Sequence, residues 1–182
     1  MRRGGSAESH LRLLDRFRQA MPDAALRSTF IAGFAGETEA EFETLIDFVR
    51  EARLDHLGVF TYSHEEGTPA HGLPDSVPAE VKQARRERLM ALQQEIVFEK
   101  NRAAVGRVVE VLVEGAHPET EHLLVGRTRG QAPDVDNHVL INDGRAEPGQ
   151  FVEVEITDTA GYDLVGRVRG PAPGRRGAGE GR

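Results

Sequence analysis

Two glycines three residues apart, Gly33 and Gly36, lead straight into Glu37-Thr38-Glu39. This is where the sequence most clearly prepares for chemistry. The apolar, β-favouring residues Phe30, Ile31 and Phe34 mark a strand, and the glycines permit a tight turn or a close backbone approach. Thr38 stands three residues before Glu41, the spacing of a helix capping box. In α/β layer proteins, small ligands bind where the carboxyl end of a strand opens onto a helix N-terminus. A two-glycine turn is a weak signal, and on spacing alone a βα unit with ordinary turn chemistry is the preferred reading. Glu65 and Glu66 face either a basic substrate loop or solvent. Asp134 and Asp136 have the character of turn residues. The seven histidines show no metal-ligand spacing, so no metal ligand and no catalytic residue is assigned.

The elements that must position these residues follow from periodicity. Leu13, Leu14, Phe17, Ala20 and Met21 predict a helix over 9–21, ended by Pro22-Asp23. A strand is expected over 26–34. A helix over 38–53 would carry Phe42, Leu45, Ile46 and Val49 on one face, and a second strand is expected over 54–63. Two strands joined by one amphipathic helix should be parallel, with a right-handed crossover. After a Gly- and Pro-rich loop, a helix from Pro78 to about Ala104 is expected to bury Val81, Ala84, Leu89, Leu92 and Ile96. Its basic and glutamine-rich residues (Lys82, Arg85, Arg86, Arg88, Gln93 and Gln94) are expected to form a solvated face.

From Val105 the period changes to two. Val109, Val111 and Val113 alternate with glutamates, as do Val152, Val154 and Ile156. With shorter runs at 123–127, 139–141 and 162–168, this predicts a small closed antiparallel barrel of the OB-like kind. The Gly-, Pro- and Arg-rich stretch over 170–182 is expected to be a disordered tail.

Composition sets outer limits. The 182 residues are 38% hydrophobic and 29% charged, which suits a globular protein of one domain or two small ones. No window has the apolar length of a membrane span, and the N-terminus lacks a signal peptide's apolar run. The chain is therefore expected to be cytoplasmic, with no membrane partner. It contains no cysteine, which excludes disulfides, thiol catalysis and any cysteine-ligated iron–sulfur or zinc site within these residues. The net charge of −7 disfavours gripping nucleic-acid phosphates and favours a basic protein partner.

Several stretches, in order, resemble the C-terminal part of the radical SAM methylthiotransferases, the MiaB/RimO family. They are Gly33-Phe34-Ala35-Gly36-Glu37-Thr38, Val59-Phe60-Thr61-Tyr62-Ser63 and Glu65-Glu66-Gly67-Thr68-Pro69-Ala70, followed by Arg88-Leu89-Met90 with Leu92-Gln93-Gln94. Gly126-Arg127, Ala132-Pro133-Asp134-Val135-Asp136 and Tyr162-Asp163-Leu164 resemble the family's terminal TRAM barrel. Ala35 stands where the family usually has proline. The resemblance implies a partial TIM-type α/β barrel, the end of a radical SAM barrel with its linking helix, over 1–104. A TRAM domain would follow over 105–169.

MiaB-like members modify an adenosine in transfer RNA, and RimO-like members modify an aspartate of the twelfth small-subunit ribosomal protein. The text around Tyr62 resembles the RimO-like branch. Residues 102–169 hold seven arginines against twelve Asp and Glu, a net of −5. That suits a basic ribosomal protein or the ribosome as partner, with transfer RNA the alternative. A non-catalytic binding fragment is a third reading.

The resemblance implies S-adenosylmethionine and two 4Fe-4S clusters in the full-length family. The cluster cysteines are absent here, so the chain alone is expected to be inactive and to need the missing N-terminal half as partner. Met1 accordingly reads as an internal methionine or the start of a truncated gene. By the same resemblance, Ile31, Gly33, Gly36 and Glu37, with Phe60, Tyr62 and Ser63, would lie against the adenosyl group.

Overall fold

A computed structural model describes residues 4–173. The fold divides between Ile96 and Val97 into two compact units, so the division falls inside a helix.

In the first unit, helix α1 (Ala7–Ala20) starts earlier than periodicity suggests because Ser6 caps it. The Ser6 hydroxyl accepts the Ser9 N–H, and the Ser9 hydroxyl accepts the Ser6 N–H in return. Strand β1 (Arg27–Ala32), helix α2 (Glu39–Ala52) and strand β2 (His56–Thr61) form the expected βαβ unit, with β1 and β2 parallel. Both strands are shorter than predicted, since Gly33 leaves the ladder at a φ of +75°. The Thr38 hydroxyl accepts the Glu41 N–H, and the Glu41 carboxylate accepts the Thr38 N–H.

Strand alternation sorts the two faces of this sheet. Phe30, Ala32, Leu57 and Val59 pack with Phe42, Ile46 and Val49 of α2 and with Leu89 and Ile96 of helix α3 (Ala79–Ala104). Ile31 and Phe60, partners in the register, belong to the opposite face, and Phe60 is 63% exposed. Leu13 and Phe17 on α1 are also exposed, as is Met21 at its C-cap.

Helix α3 departs from its expected orientation. Its buried line is Lys82, Arg85, Leu89, Gln93 and Ile96, while Ala84 is exposed. The expectation of a solvated basic face is therefore wrong for Lys82, Arg85 and Gln93. The first half of α3 covers loop ends rich in backbone carbonyls and carboxylates, and buried acceptors need donors.

The second unit is a closed five-stranded barrel in the order β3-β4-β5-β7-β6, formed by β3 (Val108–His117), β4 (Thr120–Arg127), β5 (Val139–Asp143), β6 (Phe151–Ala160) and β7 (Asp163–Pro171). The OB-like architecture is as expected, but the pairing is not wholly antiparallel, because β5 and β7 run parallel. A ring with an odd number of strands cannot alternate direction all the way round, so at least one neighbouring pair must be parallel. Val111, Val113, Val139, Ile141, Val152, Val154 and Ile156 fill the interior.

Two glycines let the barrel bend. Gly126 pairs with Val113 and Gly166 with Ile156, each immediately before a register shift in the neighbouring strand. A Cβ on Gly126 would lie 2.7 Å from the Leu112 carbonyl oxygen, and one on Gly166 would lie 2.7 Å from that of Glu155. The tail expected from Gly170 starts later, since β7 continues through Pro171 and the buried Ala172 donates its N–H to Phe151 O. The remainder of that tail, from residue 174, lies outside the described residues.

Candidate functional site

The loops leaving β1 and β2 at their carboxyl ends lie side by side because the strands are parallel and in register from Arg27↔His56 to Ala32↔Thr61. The Tyr62 N–H then donates to Ala32 O at 2.9 Å, extending the pairing one step into the loops. The first loop holds Gly33, Phe34, Gly36 and Glu37, and the second holds Tyr62, Ser63 and His64. Phe34 and Tyr62 meet edge to face with ring centroids 5.0 Å apart.

The residues singled out from the sequence divide into an open set and a braced set. Ile31 and Phe60 are adjacent on the helix-free face of the sheet. Gly36 is exposed, with open space where a Cβ would stand. Ser63 is exposed, and its hydroxyl donates to Glu65 Oε1. Gly33, Glu37 and Tyr62 are held from beneath by α3. The Gly33 N–H donates to Glu37 Oε1 at 3.0 Å, and that same oxygen accepts from Arg85 at 2.7 Å. Tyr62 is buried, its hydroxyl 3.4 Å from His64 Nδ1 and the Lys82 ammonium 5.0 Å from its ring centroid. His64 in turn stacks on His71, their centroids 4.5 Å apart.

Helix α3 supplies what sequence reading missed. Lys82 donates to Asp75 Oδ2 at 2.7 Å and to Tyr62 O at 3.3 Å. One turn on, Arg85 reaches Glu37 O, Glu37 Oε1 and Glu39 Oε2. Arg86 donates to Val59 O, and Gln93 donates to Leu54 O. A signal was present, since positions 82, 85, 89, 93 and 96 follow helical spacing and place two cations in phase with Leu89 and Ile96. Hydrogen bonds from Arg85, with Arg88 adding to them, hold the Glu39 carboxyl below its ordinary range. The Thr38 N–H does the same for Glu41.

On the barrel, an open hollow of about 710 Å³ is lined by His122, Leu124, Asn142, Asp143, Arg145 and Glu147 among others, a mixture with no dominant sign. Asp136 accepts the Ala132 N–H, and Asp134 takes a left-handed turn conformation at a φ of +59°. Among the described residues, no group of three or more His, Asp or Glu is arranged to hold a metal ion. None of the described helices is long and apolar enough to cross a membrane.

Comparison with known proteins gives this geometry a context. Residues 105–168 match the model of the TRAM domain. The chain is 54% identical over 175 residues to the ribosomal protein uS12 methylthiotransferase RimO of Anaeromyxobacter sp. (strain K), covering 96% of this chain and 37% of that protein. It is 51% identical over 168 residues to the protein of the same name from Myxococcus xanthus, covering 92% of this chain and 35% of the relative. The protein of that name from Syntrophotalea carbinolica is 54% identical over 156 residues, covering 86% and 34%.

The chain is RimO-like.

It spans just over a third of the length of these relatives. The TRAM match and the closed barrel coincide in the second unit of this RimO-like chain. An iron–sulfur cluster does not fit the residues present, because the chain has no cysteine to hold one. The open set carries the kinds of group an adenosyl moiety would need. The apolar wall of Ile31 and Phe60 ends at a glycine turn that leaves backbone within reach.

Proposed function

We propose that this RimO-like chain is the C-terminal portion of a radical SAM methylthiotransferase acting on an aspartate of ribosomal protein uS12. In this reading β1 and β2 are the last two strands of the radical SAM barrel, α3 is the linking helix, and the TRAM domain begins at about residue 105. One observation carries the reading most directly: Phe60 is 63% exposed beside Ile31, on the face of the sheet opposite the helices. A sheet with an apolar side facing away from its helices needs a second layer. The interior of a parallel barrel, closed by further strands and a ligand, provides one.

S-adenosylmethionine, when bound, supplies the radical chemistry of the reaction. This chain's residues bind and orient it. Ile31 and Phe60 offer flat apolar contact to adenine. Gly36 and the backbone around Gly33 would offer groups to its ring edge, and Ser63, Glu37 and Tyr62 would serve its ribose. The clusters that the family resemblance implies belong to a cysteine-bearing segment outside this chain.

The acidic barrel supports a basic protein as the partner. A TRAM barrel that gripped transfer RNA would need a basic surface to neutralise phosphates. The lack of cysteine also favours a second reading for the isolated polypeptide, a module that docks without chemistry. The deciding experiment joins this chain to a cysteine-bearing N-terminal region of a relative and supplies uS12, transfer RNA and S-adenosylmethionine. The expected result is the mass gain of one methylthio group on a uS12 aspartate. Modification of a transfer-RNA adenosine instead would move the substrate. Binding to uS12 with no modification of either would leave the docking module.

A further inference from the structure

We propose that Lys82 is a positioning residue that ties together the two loops at the carboxyl ends of β1 and β2, its stem holding the first and its ammonium the second. This deepens the reading above, because those two loops carry the residues assigned to the adenosyl group.

The geometry is specific to this side chain. Gly33 is buried at a φ of +75°, and a Cβ there would lie 2.3 Å from Lys82 Cγ and 3.0 Å from Lys82 Cβ. The lysine stem therefore rests directly on the Gly33 backbone. From that seat the chain continues past the Tyr62 ring to Tyr62 O and Asp75 Oδ2. The stem rests on the first loop, and the ammonium bonds to the second. Arg85, one turn further along α3, fastens Glu37 and completes the attachment of the first loop.

A purely apolar contact would have been the simpler way to pack α3. Lys82 is only 7% exposed, and burying an ammonium is costly unless partners repay its lost hydration. The choice of lysine over arginine is also unusual here. Of the 23 Lys and Arg residues, only Lys82 and Lys100 are lysines. A narrow unbranched stem with a compact head fits over a glycine and under a tyrosine, where a planar guanidinium would need far more width.

Stem and head can be separated by substitution. Lys82→Met keeps the stem and removes the ammonium, whereas Lys82→Ala removes both. Amide hydrogen exchange on the 182-residue chain, read on peptides spanning 33–38 and 62–75, reports each loop directly. In Lys82→Met we expect exchange to accelerate about tenfold over 62–75 alone, and in Lys82→Ala over both segments, with the α2 peptides unchanged. Asp75→Asn, which leaves the lysine in place, should loosen only 62–75. Unchanged exchange in both lysine variants would overturn the proposal. So would uniform acceleration that includes α2, which would mean general destabilisation.

In the enzyme joined to a relative's cysteine-bearing N-terminal region, Lys82→Met should raise the KM for S-adenosylmethionine about tenfold with kcat little altered. Equal KM values would remove the positioning role even if the loops loosen. Failure of the joined enzyme without substitution to use S-adenosylmethionine would instead sink the functional reading, and the exchange data would still decide whether Lys82 ties the loops.

Discussion

Gly33 shows how much one missing Cβ controls. Gly33→Ala adds strain at a positive φ and places a methyl inside the Lys82 stem, so we expect a loss of about 2–4 kcal/mol in urea unfolding. Gly36 has a φ of +80° with open space around it, and Gly36→Ala should cost only about 1 kcal/mol. A similar loss at both positions would mean that the lysine contact is not what Gly33 serves. Charged residues add a pH signature. Hydrogen bonding from Arg85 lowers the folded pKa of Glu39, and hydrogen bonding from Arg167 lowers that of Glu155. A carboxylate with a depressed folded pKa stabilises the fold above its unfolded pKa. That contribution disappears as pH falls through the folded value. Glu39→Gln and Glu155→Gln should each flatten the acid limb of stability, read as urea midpoints at successively lower pH.

Among the elements, those with a single clean period were the most legible in the sequence. The Thr38–Glu41 spacing announced the start of α2, and the valine alternation announced β3 and β6. Thr38→Ala should cost about 1 kcal/mol of stability, measurable by thermal unfolding. Helix α3 was harder to read because the usual equation of apolar with buried fails along its first half. Its phase is set by the acceptors it must satisfy; beside the carboxylates of Asp75, Glu37 and Glu39 these include the backbone carbonyls of Tyr62, Glu37 and Leu54, which leave no mark in the sequence. The parallel pairing of β5 with β7 was equally hidden, since side-chain alternation does not reveal strand direction. Gly126 entered the sequence reading only through the Gly126-Arg127 resemblance, and Gly166 was not singled out at all. Gly126→Ala and Gly166→Ala should each destabilise the barrel by about 2–4 kcal/mol, because the obstacle is a neighbouring backbone carbonyl with little freedom to move.

At the scale of the whole molecule, the two units should behave differently when separated. The barrel closes on itself and leaves no open sheet edge, so residues 97–182 alone should melt cooperatively and elute as a monomer. Residues 1–96 keep only a two-stranded sheet, with Phe60 exposed on it and Leu13 and Phe17 exposed on α1. That fragment should self-associate in size-exclusion chromatography, and Phe60→Ser should reduce the association. A monomeric, sharply melting 1–96 fragment would show that the bare face needs no covering layer. Of the candidate site, Ile31 and Phe60 could be named from the sequence through family resemblance, and their pairing in register shows on the sheet. The Lys82 bridge could not, since it links three segments distant in sequence. The burial of Lys82 also has a practical consequence for proteolysis. With only two lysines in 182 residues, a lysine-specific protease has two internal bonds to attack, and one of them is sealed while α3 stays seated on Gly33. Cutting after Lys82 thus becomes a clock for how often the helix lifts away.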